Sequence, residues 1–283
     1  MTSAPPNLYM IELRPDIQKA TAWMLEQPRR IIRPGHDDGY GWHALLTAAF
    51  GDLAPKPFRL FDRPGPPVQL LAYTPHDPSA LVARARLNAS PAVYGAVAID
   101  ALDHKPMPVA FEVGQRLGFE VRVRPTVRQD YRDPETGATD RRRSRERDAF
   151  LAAIDAEPLP RGERSDLERE VIYQHWLNTR LGEAARIEPG TFQFAKLSRT
   201  MLLRPRQVNR DVGAATAKRR DLVPVGLLKR GVKGEQGGSP DATLQGVLTV
   251  ADPEAFKALL ARGIGRHRSF GFGMLLLRPP RRR

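Results

Sequence analysis

Hydrophobic positions along this chain fall into two rhythms. Residues 8–15, LYMIELRP, alternate apolar and polar side chains up to Pro15, and that period of two predicts a strand. Residues 16–28, DIQKATAWMLEQP, change to helical spacing, with Asp16 as N-cap and Pro28 beyond the end. Residues 40–50 predict a second helix, in which Trp42, Leu45, Leu46, Ala49 and Phe50 make an apolar stripe at i, i+3, i+4, i+7 and i+8. Residues 56–65 and 67–75 read as two strands joined by an Arg-Pro-Gly-Pro turn. Residues 77–87 read as a helix capped by Asp77, with Pro78 at its first position. A strand from Leu117 to Arg124, with Phe119, Val121 and Val123 on one face, completes the order β-α-β-β-α-β with some extra material, which is ferredoxin-like.

The rhythm stops at 129–147, a polar, turn-rich, arginine-dense stretch that reads as a loop or linker near a domain boundary. Residues 145–155 and 163–181 are helical in pattern, the second carrying Leu167, Val171, Ile172 and Trp176. Strand signals return over 191–206, and a glycine-bearing basic excursion follows over 207–239. Residues 242–279 then read as strand, helix, glycine-rich loop and strand, the helix capped by Asp252, opened by Pro253 and ended by Gly263. The halves share an element order, not a sequence. The expected fold is α+β: two tandem ferredoxin-like (RRM-like) domains with antiparallel sheets, spanning 1–138 and 139–283.

Composition narrows the chemistry. With 41% hydrophobic residues, 283 residues can bury a core, and the absence of cysteine excludes disulfides, thiolate metal sites and a cysteine nucleophile. Mean hydropathy of −0.44 and the lack of a long apolar run argue against a spanning helix. The first residues lack a signal-peptide pattern, so a cytoplasmic protein with no membrane partner is expected. The formal charge is +13, with 45 Lys+Arg against 32 Asp+Glu, and this favours a polyanionic partner.

Two stretches carry candidate chemistry. On the helix over 40–50, Tyr40, His43 and Thr47 share a second face, about a third of a turn from the centre of the apolar stripe. His43 therefore sits at the margin of the core. Helix geometry alone leaves two readings open, a boundary histidine beside a half-buried tyrosine or a reactive pair. The second stretch, GIGRHRSFGFG over 263–273, sets Gly263, Gly265, Gly271 and Gly273 around Arg266, His267 and Arg268. Glycines permit positive φ, and successive free N–H groups in such a loop can bind phosphate. It is neither a dinucleotide fingerprint nor a P-loop, because a helix precedes it and a strand follows.

The block LQGVLTVADPEAFKALLARGIGRHRSFGFGMLLLRP resembles the C-terminus of the repeat-associated RNA-binding proteins of CRISPR systems. More narrowly, the chain resembles the CasE family, the CRISPR repeat-RNA endoribonucleases of type I-E systems. YGWH (40–43), KPFRLF (56–61) and GQRLGFEVRVRPTVR (114–128) match further motifs of that family. The match is patchy between 129 and 240, and Arg268 stands where the family usually has lysine.

The resemblance implies a site-specific endoribonuclease that needs neither metal nor cofactor. It would cut the repeat hairpin of precursor CRISPR RNA, leaving a 2′,3′-cyclic phosphate and a 5′-hydroxyl. The mature crRNA would stay bound and join the other subunits of a type I-E surveillance (Cascade) complex. A non-catalytic crRNA-binding scaffold subunit of the same superfamily is the alternative. His43 would move a proton, as base or as acid, and Tyr40 would orient the nucleophile or bind the scissile phosphate. RNA contacts are expected from Arg204, Arg206, Arg210, Lys218, Arg219, Arg220, Lys229, Arg230 and Lys233, and from Arg266, His267 and Arg268. His267 is the rival for a catalytic role. His36, His76, His104 and His175 read as solvated, capping or structural residues, and no histidine pair has metal-ligand spacing.

Overall fold

A computed structural model of the chain describes residues 8–27, 32, 36–62, 67–132, 135–156, 168–205, 222–225 and 238–280. The first half begins with strand β1 (Tyr9–Leu13) and helix α1 (Ile17–Glu26), where the Asp16 carboxylate accepts the Lys19 N–H at 3.1 Å as the cap predicted. Helix α2 (Gly39–Phe50) leads to strands β2 (Phe58–Phe61) and β3 (Gln69–Thr74). Helix α3 (Pro78–Asn88) starts at Asp77, which accepts the Ser79 N–H at 2.8 Å. Helix α4 (Pro91–Val97) and strand β4 (Asp103–Pro106) follow. The four strands form an antiparallel sheet in the order β2-β3-β1-β4, the ferredoxin-like arrangement. Helices α1 to α4 bury Ile11, Leu13, Trp42, Leu45, Phe50, Leu81 and Val97 in one core with this sheet.

The second half repeats the plan. It runs through strand β5 (Arg116–Val123), strands β6 (Thr126–Arg132) and β7 (Thr139–Asp148), and helices α5 (Ala149–Ala156) and α6 (Arg169–Leu181). Strands β8 (Ala185–Ile187), β9 (Gln193–Thr200), β10 (Leu202–Pro205), β11 (Leu222–Val225) and β12 (Ser239–Val250) come next, then helix α7 (Pro253–Arg262) and strand β13 (Leu275–Arg278). The main sheet has the order β13-β5-β12-β8, with β9 also on β12, and every pairing is antiparallel.

Three expectations change. The strand at 117–124 does not close the first sheet: β5 hydrogen-bonds to β12 and β13, so sheet membership divides the chain between β4 and β5 rather than at 138/139. The strand that does close it, β4, is exposed at all four residues (Asp-His-Lys-Pro), so no apolar alternation betrays it. The stretch 129–147 is no linker: β6 and β7 pair as an antiparallel hairpin of their own. Among the described residues no helix is long and apolar enough to cross a membrane.

The two sheets are joined by packing. Leu8 and Tyr73 of the first half lie in the core of the second, with Phe119, Phe256, Leu260 and Leu275. The Tyr73 hydroxyl donates to the Leu275 carbonyl at 2.9 Å. This buried contact ties β3 of the first sheet to β13.

Candidate active site

Helix α2 brings the first two candidates together. Its stripe is buried as the spacing predicts, with Trp42, Leu45, Leu46, Ala49 and Phe50 in the core. Each large apolar side chain so buried contributes about 1.5–3 kcal/mol to holding the helix down. Tyr40 and His43 are half-buried at the margin, their ring centroids 6.1 Å apart and edge-on. The helix starts at Gly39, whose N–H donates to Asp37 Oδ1 at 2.9 Å, and the Trp42 indole N–H donates to Asp38 Oδ2 at 2.8 Å.

The glycine-rich loop arrives from the other half of the chain. Gly263, Gly265, Gly271 and Gly273 all have positive φ. At the neck of the loop the Ile264 N–H donates to the Gly273 carbonyl at 2.8 Å. A Cβ at Gly273 would lie 2.2 Å from the Ile264 carbonyl oxygen, so only glycine permits this closure. A single 3-10 turn at Arg268–Phe270 carries Phe270 onto helix α2. There its ring centroid is 5.8 Å from Tyr40 and 5.4 Å from His43, and His267 stacks on it at 6.2 Å. Gly39 abuts the Phe270 backbone so closely that a Cβ would meet the carbonyl oxygen at 2.2 Å. Helix and loop, more than 200 residues apart in sequence, thus share one surface. A cleft of about 450 Å³ opens beside it, lined by Trp42, Phe58, Arg59, Arg122, Lys196 and Phe270 among others.

A scan against family models matches residues 8–279 to the family described as CRISPR associated protein. The chain belongs to that family. A search of curated proteins found no match. Among solved structures, this CRISPR-associated protein is similar to Thermus thermophilus Cse3 bound to an RNA representing a pre-cleavage complex. That pair has 19% identity and a TM-score of 0.54, with 96% of this chain and 100% of the other covered. It is similar also to CRISPR endoribonuclease Cse3 bound to a 19 nt RNA, at 19% identity and a TM-score of 0.55 over 96% and 100% of the two chains. Cas6e from Escherichia coli str. K-12 matches at 19% identity and a TM-score of 0.50, over 96% of this chain and 99% of its own. At these identities the likeness establishes the fold.

The electrostatics of the site follow from burial and charge. Burial disfavours the charged imidazole of His43, and the positive charge of Lys56 adds to this, so its pKa is held below the ordinary 6.5. Near pH 7 the imidazole is therefore neutral and able to accept a proton. Glu146, from β7, reaches the glycine-rich loop: His267 Nε2 lies 3.0 Å from one carboxylate oxygen, and Arg266 pairs with the other. Burial alone would raise this carboxyl, but the His267 hydrogen bond and the charges of His267, Arg266 and Arg124 outweigh it and hold Glu146 below the usual carboxylate range. An ionised carboxylate only accepts, so His267 presents Nε2–H to it.

The predicted residues separate accordingly. The fold unites Tyr40 and His43 with the loop that carries Arg266, His267 and Arg268. Of the three, His267 and Arg266 are engaged by Glu146, and Arg268 donates to the Arg262 carbonyl at 2.8 Å. Arg204 lies on the backbone of β10, which pairs with β11. Arg206, Arg210, Lys218, Arg219, Arg220, Lys229, Arg230 and Lys233 lie outside the described residues. Among the described residues no cluster of three or more His, Asp or Glu is placed to hold a metal ion. His104 is exposed at the edge of Tyr9, and His175, expected to be structural, is exposed on α6.

Sequence reasoning missed Phe270, Glu146 and Lys56. Phe270 stood inside a motif read for its glycines and charges. Glu146 lay in a stretch read as a linker. Lys56 is exposed just ahead of β2, and only the tertiary fold brings its charge to bear on His43.

Proposed function

We propose that this protein is an endoribonuclease that cuts the repeat hairpin of precursor CRISPR RNA without a metal ion. The observation that carries the reading is the seating of the Tyr40–His43 pair of α2 against Phe270 of the basic glycine-rich loop. It supports a phosphodiester lying across α2 and the loop, with a proton acceptor and cationic groups within reach. The family membership and the RNA-bound Cse3 structures of the same fold support the choice of RNA.

In this reading the neutral His43 imidazole takes the proton of the 2′-hydroxyl beside the scissile phosphate. The 2′-oxygen attacks phosphorus and the bond from phosphorus to the 5′-oxygen breaks. The products are a 2′,3′-cyclic phosphate and, once the leaving oxygen is protonated, a 5′-hydroxyl. The lowered pKa favours His43 as base over acid at neutral pH. Tyr40, one turn before it, binds the phosphate or aligns the 2′-hydroxyl. Charge accumulating on the phosphoryl oxygens is met by cations. Lys56 and Arg268 suit this role, and Arg266 and His267 become available when RNA phosphates compete with Glu146. The basic segments over 199–233 hold the hairpin stem by shape and phosphate contacts. The cut RNA stays bound as crRNA and enters a type I-E surveillance complex in the cytoplasm.

The test is incubation of the purified protein with its cognate repeat RNA in EDTA, read on a sequencing gel. A single cut ending in a cyclic phosphate, abolished by His43→Ala, supports the proposal. Tight hairpin binding without any cut would instead identify a scaffold subunit that holds crRNA.

A further inference from the structure

Arg122, on strand β5, contacts both the lead-in to α2 and the exit of the glycine-rich loop. Its Nε donates to Asp241 Oδ1 of β12 at 2.9 Å, and Nη2 reaches the other Asp241 oxygen at 2.5 Å. Nη2 also donates to Asp37 Oδ2 at 2.6 Å. Both carboxylates are buried, with side chains only 3% and 9% exposed for Asp37 and Asp241. Asp37 divides its two oxygens: Oδ1 accepts the Gly39 N–H that opens α2, and Oδ2 takes Arg122. The backbone of Arg122 serves the other partner, its carbonyl accepting the Gly273 N–H at 2.7 Å at the exit of the glycine-rich loop. The guanidinium carbon lies 4.3 Å from the centroid of the Phe272 ring in that loop. One residue thus holds the start of α2 through its side chain and the end of the loop through its main chain.

We propose that Arg122 is a positioning residue that sets the register of Tyr40 and His43 against the glycine-rich loop, acting through Asp37. The inference rests on the endoribonuclease reading for its catalytic consequence, but not for its structural one. A planar fork is required for this geometry. Three donated bonds to two carboxylates in different directions fit guanidinium, whereas a lysine ammonium is a point charge on a flexible stem. Misplacing reacting groups by about 1 Å costs on the order of 10²-fold in rate. Burial by itself would lower the Arg122 pKa, but Asp241 and Asp37 outweigh it and hold the guanidinium charged.

The experiment compares Arg122→Lys and Asp37→Asn with the wild type in two readouts. The first is the NMR signal of the His43 ring, 5.4 Å edge-on to Phe270, where the ring current reports the spacing of helix and loop. The second is the single-turnover cleavage rate with saturating enzyme, measured beside hairpin affinity. We expect both variants to shift the His43 signal, and Arg122→Lys to lose about 10- to 100-fold in rate with affinity within about threefold. Asp37→Asn keeps Oδ1 for the Gly39 N–H but sets a donor NH2 where Oδ2 accepted from Arg122, so it breaks the same link while leaving Arg122 on Asp241, and a loss of the same sense is expected there. An unmoved His43 signal in a folded Arg122→Lys overturns the inference, as does a rate within twofold of wild type. An equal loss in rate and affinity also overturns it, because that marks a general structural role. If wild type binds the hairpin but does not cut, the endoribonuclease reading fails, and the His43 signal still decides the role of Arg122.

Discussion

Adding a single methyl group at Gly39 tests how closely the two halves of the site meet. A Cβ there would lie 2.2 Å from the Phe270 carbonyl oxygen and 2.7 Å from Asp37 Oδ1. Ordinary carbon–oxygen contacts begin near about 3.3 Å. Gly39→Ala must therefore push the start of α2 and the loop apart by roughly 1 Å. Overpacking of this kind costs about 1–3 kcal/mol. The helix preference of alanine over glycine returns up to about 1 kcal/mol, so a net loss of about 0–2 kcal/mol is expected in urea unfolding. The displacement falls on Tyr40 and His43, so cleavage should drop by a further factor of about 10 to 100 in single-turnover measurements. Gly95→Ala is the matched control. It sits in α4 with only Lys19 Cδ nearby, at 3.9 Å, and should stabilise the protein by about 0.5–1 kcal/mol without touching the rate. If Gly39→Ala unfolds and cleaves like wild type, the abutment of α2 on Phe270 is not real and the site geometry is wrong.

Four further outcomes follow from the same structure. His43→Ala should lower the cleavage rate about 10²- to 10⁴-fold with hairpin affinity nearly unchanged, measured by single-turnover cleavage and filter binding. The pKa of His43 is lowered by burial and by Lys56, so activity should rise with pH through a midpoint below 6.5 and then level off, and Lys56→Gln should move that midpoint upward. The same shift bears on stability: below the unfolded value near 6.5 the unfolded chain binds the proton first, so the fold loses stability as pH falls through that value towards the lower folded one, visible in melting curves. Tyr73→Phe removes the buried bond to the Leu275 carbonyl and should cost about 1–3 kcal/mol in urea unfolding, since the carbonyl is left without that donor.

Much of the fold was legible because its signals are local. The stripe from Trp42 to Phe50 forced a helix and put Tyr40 and His43 at its margin, as the structure shows. Asp16, Asp77 and Asp252 each cap a helix through a bond to a nearby backbone N–H, contacts that a short window of sequence contains. β4 was illegible because an exposed edge strand has no buried face to mark it. The sheet membership of β5 was illegible because its apolar alternation says that it packs, not against which sheet. The arginine-dense stretch hid a hairpin because its sequence carries no apolar alternation, and the pairing of β6 with β7 is made across the turn.

Sequence alone determined many parts of this protein: the helices and the apolar strands, the strong positive charge, a helix with Tyr40 and His43 at its margin and a glycine loop with a basic centre. Periodicity and composition act over a few residues, and those features need nothing more. Tertiary structure alone decided that the loop meets the helix, that Phe270 bridges Tyr40 and His43, and that Arg122 ties Asp37 to Asp241. The order of strands in the second sheet brings β5, β12 and the exit of the glycine loop together, and long-range pairing of that kind leaves no mark in a local window. The lowered pKa of His43 has the same origin, since burial and the approach of Lys56 arise only when the chain closes on itself.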